Sequence, residues 1–147
     1  MTEETFKELG RSWGQGISIG ICVAVLTAVV SILANRSGMA PFPQPPALAF
    51  AETLAGRELP MPVGLLFHTV YVTGWSALFL RYSPWQGAGA IAVLSLLLWG
   101  GVLLVFFPIV GWGLFGLGIG PQMIPGSFVP HFLFGLFLWG LDRVWPR

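Results

Sequence analysis

What this chain lacks is charge. From Tyr82 to Leu141 it runs 60 residues without one Asp, Glu, Lys or Arg. A soluble domain cannot be built from such a stretch, because its surface needs charged groups to stay in water. Of the 147 residues only 9% are charged and 55% are hydrophobic, a balance that excludes the disordered and ordinary globular classes. With a net charge of +1 there is no basic surface to hold nucleic acid. Cys22 is the sole cysteine, so neither an intrachain disulfide nor a cysteine-based metal site can form. Inside an apolar helix it reads as a buried, inert thiol. Carboxylates are few, and no serine or cysteine has a base at a recognisable spacing, so an enzyme reading finds no support. The N-terminus does not read as a cleavable signal, since Met1–Arg11 mixes both charges and the apolar stretch after it is too long for a signal core; it is expected to be a retained first span.

What is present is hydrophobic length. As one helix the uncharged run would reach about 90 Å, three times a hydrocarbon core of about 30 Å. It must cross twice, turning at the Gly/Pro cluster in its middle. With the apolar windows upstream, the chain reads as an all-α membrane protein, a four-transmembrane-helix bundle in a single domain. The expected spans are 15–35, 62–81, 87–108 and 127–143, with loops 36–61 and 109–126 outside. Pro62 suits a first helical turn, Pro108 limits the third span, and Ser127 is the expected N-cap of the fourth. Lys7, Arg11, Arg81, Arg143 and Arg147 fall on one side and Arg36 and Arg57 on the other. The excess of Lys and Arg assigns the first side to the cytoplasm, giving N-in, C-in topology as a multi-pass protein of the cell inner (cytoplasmic) membrane. Trp13, Tyr82, Trp85 and Trp145 then form an aromatic belt at the inner interface.

The two outer connections differ. The first carries Pro41-Phe42-Pro43-Gln44-Pro45-Pro46, a stiff spacer. Ala47–Gly56 follows as a short helix with Leu48, Ala51, Leu54 and Ala55 towards lipid and Glu52 towards water. The second runs from Gly111 to Pro121 with glycine at every second or third position. Unpaired backbone cannot face lipid, so this segment caps the bundle, lines a pathway as a re-entrant loop, or docks a partner.

Three constellations stand out within the spans. Gly16, Gly20, Ala24 and Ala28 recur every four residues, a helix-packing face that serves either the bundle itself or a homodimer. Arg81 and Asp142 reach the same depth at the inner ends of spans two and four and are expected to form an interface pair. His68 and His131, each near the outer start of a span, lie about 20 Å above Arg81 and about 17 Å above Asp142 at the helical rise. An intramembrane ionisable residue is a functional-site candidate by default. The facing imidazoles are candidate cofactor ligands, with haem fitting the aromatic and glycine surroundings better than zinc. A hydrogen bond to a neighbouring helix and a proton-linked role are the other readings.

Three stretches together resemble a group of small, uncharacterised four-span bacterial and archaeal membrane proteins with a histidine opening spans two and four. They are Gly16–Ala34 with Pro41–Pro46, Leu66-Phe67-His68, and Phe107–Gly116 with His131-Phe132-Leu133-Phe134-Gly135. The resemblance implies the same architecture and no particular activity. The functional expectation is a non-catalytic accessory subunit or assembly module of a larger membrane complex, with the lipid bilayer and other membrane subunits as partners. The alternative is a small channel or carrier working by self-association as a homo-oligomer.

Overall fold

The computed structural model describes residues 10–85 and 87–146; Lys7 and Arg147, counted above for orientation, lie outside them. Its helices are α1 (Trp13–Arg36), α2 (Pro46–Ala55), α3 (Met61–Tyr82), α4 (Ala88–Ile109) and α5 (Met123–Val144). All but α2 are long and apolar enough to cross a membrane, and no strand occurs among the described residues. The protein is a four-helix integral membrane bundle.

Local chemistry sets where these helices begin and end. Ser12 and Gln15 form a reciprocal capping box at the start of α1, each side chain bonded to the other's backbone N–H. Proline stands in the first turn of α2 and of α3, where its missing N–H costs nothing. Gly56, with φ of 64°, ends α2 in the left-handed region. Helix α4 ends at Ile109, one residue beyond Pro108. The residues before it widen into a π-helical turn, Val102–Phe106, closed by the Phe107 N–H to the Val102 carbonyl. A five-residue reach absorbs the donor that proline lacks, and π turns of this kind are a known way to relieve a helix. The fourth span also differs. It starts at Met123, and Ser127 lies one turn inside it, fully buried, instead of capping it.

In lipid, helices gain little hydrophobic energy from meeting, so close packing and interhelical hydrogen bonds must hold the bundle. Helix α1 packs against α3 on one side and α5 on the other; α4 packs on α5 and α2 on α3. The order in space is therefore α3–α1–α5–α4, an arc. Helices α3 and α4 are joined by a short turn but have little close backbone contact. Ile19, Val23, Ala24, Val72, Phe134 and Leu138 belong to the cluster that fills the arc. A second cluster, around Phe107, Trp112 and Met123, closes the end that carries the two long loops.

That loop end settles how the glycine segment is used. The Trp112 N–H donates to the Phe107 carbonyl at 2.8 Å, and the Gly118 N–H to the Trp112 carbonyl at 2.9 Å. The segment thus satisfies its own backbone in successive turns, with Trp112 buried and Gly116 tucked against Phe107 and Met123. Phe42 of the proline-rich loop stacks on Trp112, centroids 6.3 Å apart, so both loops share one apolar cap.

Helix α2 is less lipid-exposed than expected. Leu48, Ala49 and Ala51 are buried, with Leu48 seated against Gly64 of α3. Glu52 does not simply face water. Its carboxylate accepts from Gln44 Nε2 and from the Leu59 N–H, both at 3.0 Å, and so ties together the segments on either side of the helix.

Candidate functional site

The small-residue face of α1 is consumed inside the bundle. A Cβ added at Gly16 would lie 3.1 Å from the Ala77 Cα, and one at Gly20 would lie 2.8 Å from the Thr73 Cα. Only glycine lets the α1 and α3 backbones come this close. Ala24 and Ala28 continue the same buried line, so this face is not available for a homodimer. Thr73 Oγ1 lies beside this contact and is buried without a hydrogen-bond partner.

His68 is the polar bond across that interface. Its Nε2 lies 3.0 Å from Thr27 Oγ1 and 3.2 Å from the Ala24 carbonyl. A carbonyl only accepts, so the bond to Ala24 needs a hydrogen on Nε2, while the Thr27 hydroxyl also lies 2.8 Å from the Val23 carbonyl. His131 is bonded differently: its Nδ1 donates to the Ser127 carbonyl of its own helix at 2.7 Å. Ser127 in turn accepts from Trp99 Nε1 of α4 at 3.1 Å and donates to the Ile124 carbonyl. Each histidine thus serves one side of the arc, His68 linking α3 to α1 and His131 holding the turn that carries Ser127 to α4.

No hydrogen bond joins the two imidazoles. Val72, one turn beyond His68, and Phe134, one turn beyond His131, belong to the same packed cluster. Gly135 is packed against Ser95 and Ile91 of α4. Among the described residues no group of three His, Cys, Asp or Glu side chains could hold a metal ion.

Asp142 is paired, but with Arg11 rather than Arg81. Arg11 Nε donates to Asp142 Oδ1 at 2.6 Å. Its remaining nitrogens bond the backbone carbonyls of Asp142, Trp145 at 3.2 Å and Pro146 at 3.1 Å. A planar fork with five donors suits this set, and its charge sits at the negative end of the α5 dipole. The Arg11 N–H also donates to the Leu80 carbonyl at 3.0 Å, and Gln15 Nε2 reaches the Pro146 carbonyl at 3.1 Å. Arg11 thus clasps the start of α1 to the end of α3 through its backbone and to the end of α5 through its buried guanidinium. Arg81 has separate contacts, its guanidinium carbon 5.9 Å from the Tyr82 ring centroid. Tyr82 also meets Trp13 edge-on at 5.7 Å. Depth alone suggested Arg81 as the partner. The usable signal for Arg11 was its place one residue before the Ser12 capping box.

No family model matches this chain, and neither does any curated protein or solved structure. The resemblance to a four-span family defined by two span-opening histidines is thereby overturned. Of the two histidines only His68 hydrogen-bonds to another helix.

Proposed function

We propose that this protein is a small non-catalytic subunit or assembly module of a larger membrane complex, seated in the inner (cytoplasmic) membrane with both chain ends towards the cytoplasm. The observation that carries the reading is a set of glycines the bundle does not use. Gly74, Gly100, Gly101 and Gly140 sit inside spans with nothing within 4 Å of where a Cβ would be. Each costs a helix about 1 kcal/mol relative to alanine. Glycine in a membrane helix is useful where another backbone approaches closely, and here that backbone would belong to another chain. The filled arc and the absence of charged side chains in the middle of the spans argue against a pathway through a single copy. In this reading His68 and His131 are helix ties rather than cofactor ligands. The cytoplasmic placement rests on Arg11, Arg81 and Arg143 at the clasp end against Arg36 and Arg57 at the loop end.

Purification from native membranes in mild detergent tests the reading. Co-isolation of partner subunits in fixed ratio, reduced by Gly100→Leu or Gly140→Leu, is the expected result. A lone homo-oligomer that moves solute across liposomes would replace this reading with that of a small channel or carrier.

A further inference from the structure

The buried line along α4 breaks step once. Ile91, Ser95, Leu98 and Val102 are buried and follow one another at intervals of four, three and four, as one face of a regular helix does. Leu103 is buried beside Val102, and the next buried residue is Phe107. A regular helix turns about 100° per residue, which would put Phe106 about 40° from Val102 and Phe107 about 140° away. The π turn Val102–Phe106 supplies one extra residue and so brings Phe107, not Phe106, onto the buried line.

The slot that Phe107 fills is walled by rings. Its own ring lies 5.4 Å from that of Trp112 and 6.5 Å from that of Phe42, and Gly116 leaves room for its edge. Phe106 sits to the side, still packed on the same cluster. It stacks on Phe50 of α2, centroids 4.3 Å apart, and meets Tyr71 of α3 edge-on at 6.2 Å. Among the described residues, every ring contact from α4 to α2 or α3 runs through Phe106. Close backbone contact between α3 and α4 is sparse, so this stack is what fastens α4 to that side of the arc at the loop end.

A second arrangement is built into the same residues. Positions 106 and 107 are both phenylalanine, so a slip of one residue leaves the slot filled by the same side chain. If the π turn winds back into α-helix, Phe106 enters the slot and Phe107 turns away from it. The chain beyond has room to absorb the slip. Gly111 and Gly113 both have φ of 79°, and a Cβ at Gly111 would meet nothing within 4 Å. Phe115, packed on the same cluster, has φ of 57°. A bulky side chain enters that left-handed region only where its surroundings hold it there. Strained backbone and π turns both gather in segments that switch.

We propose that α4 has two registers beyond Val102, which exchange Phe106 and Phe107 in the loop-end slot, and that the stack of Phe106 on Phe50 and Tyr71 is a latch. In the π register the latch is closed and α4 is tied to α2 and α3. In the α register Phe106 leaves both rings, and the loop end of α4 parts from α3. The device lies within a single chain and does not depend on the subunit reading above.

Fluorine NMR tests it. The full chain carries 4-fluorophenylalanine in place of Phe106 and is held in lipid nanodiscs. Two resonances linked by exchange are expected, the minor one seen directly or by saturation transfer down to a population of about 1%, within the usual range for a minor state. A single resonance with no saturation transfer overturns the proposal. Phe107→Ala empties the slot and Phe50→Leu removes the stack, so each should enlarge the minor resonance several-fold. Phe128→Leu, which alters a ring pair between α4 and α5, should leave the ratio unchanged. Exchange that Phe50→Leu does not bias, or that Phe128→Leu biases equally, also overturns it. Should Phe107→Ala fail to fold, the contrast between Phe50→Leu and Phe128→Leu decides the outcome.

Discussion

Through its side chain Arg11 satisfies four acceptors on three residues, Asp142 of α5 and Trp145 and Pro146 just beyond it. Its side chain and that of Asp142 are 6% and 14% exposed. Removing one partner of such a pair leaves a partly buried charge uncompensated, which costs about 3 kcal/mol. Arg11→Ala should therefore lower the thermal midpoint in micelles more than any single span-histidine substitution, and Arg11→Lys should recover only part, since an ammonium cannot span the fork. A midpoint unchanged by Arg11→Ala would show that the clasp contributes nothing. The glycines divide by environment. Gly20→Ala places a methyl 2.8 Å from the Thr73 Cα and should cost about 1–3 kcal/mol through overpacking. Gly100→Ala meets open space and should leave the isolated chain unchanged or up to about 1 kcal/mol more stable. Chemical unfolding of both variants checks the contrast, and equal effects would refute it. In sequence these glycines look alike, because what separates them is the distance to another helix.

Single elements carry the second lesson. The spans were legible because α1, α3, α4 and α5 each offer a long uncharged window. Their interruptions were less so. Pro108 does stand at the end of α4, but the π turn Val102–Phe106 just before it, with Phe107 wholly buried in the loop-end cluster, was not legible. Ser127 looks like a cap, yet tertiary burial of Met123 extends α5 upstream of it. Helix α2 looked like an amphipathic helix on the membrane surface, but its small apolar face is covered by α3. Glu52 is the residue to test here. Glu52→Ala removes the acceptor from the Leu59 N–H and from Gln44, and a charged hydrogen bond is worth about 1.5–3 kcal/mol. Hydrogen exchange at the Leu59 amide should accelerate about tenfold or more while amides in the middle of α3 keep their rates. An unaltered Leu59 rate would mean the carboxylate does not hold the loop.

At the scale of the whole molecule, the clasp puts the start of α1 and the end of α5 at one end of the bundle, and the proline-rich and glycine loops share the other. Cysteines introduced at Gly56 and Leu117, both exposed on the loops, should label from one side of the membrane only, and one at Pro84 from the other. Cys22, half-buried inside α1, should give little background. The topology proposed above assigns Gly56 and Leu117 to the outer side. Labelling of Gly56 from the cytoplasmic side alone would invert it.

Solvent explains what the sequence by itself determined. A hydrocarbon core forbids charge and unpaired backbone, so 60 uncharged residues and two earlier apolar windows dictate four helical crossings whatever the neighbours do. The choice among helix faces is a different matter, since lipid tails and apolar side chains are nearly equivalent partners. Whether Gly20 meets Thr73 or lipid, whether Asp142 finds Arg11 or Arg81, and whether His68 faces His131 or Thr27 depends on differences in packing and hydrogen-bond geometry between helices of similar composition. Only the tertiary arrangement decided these, because the placement of helices against one another is not a property of any one of them.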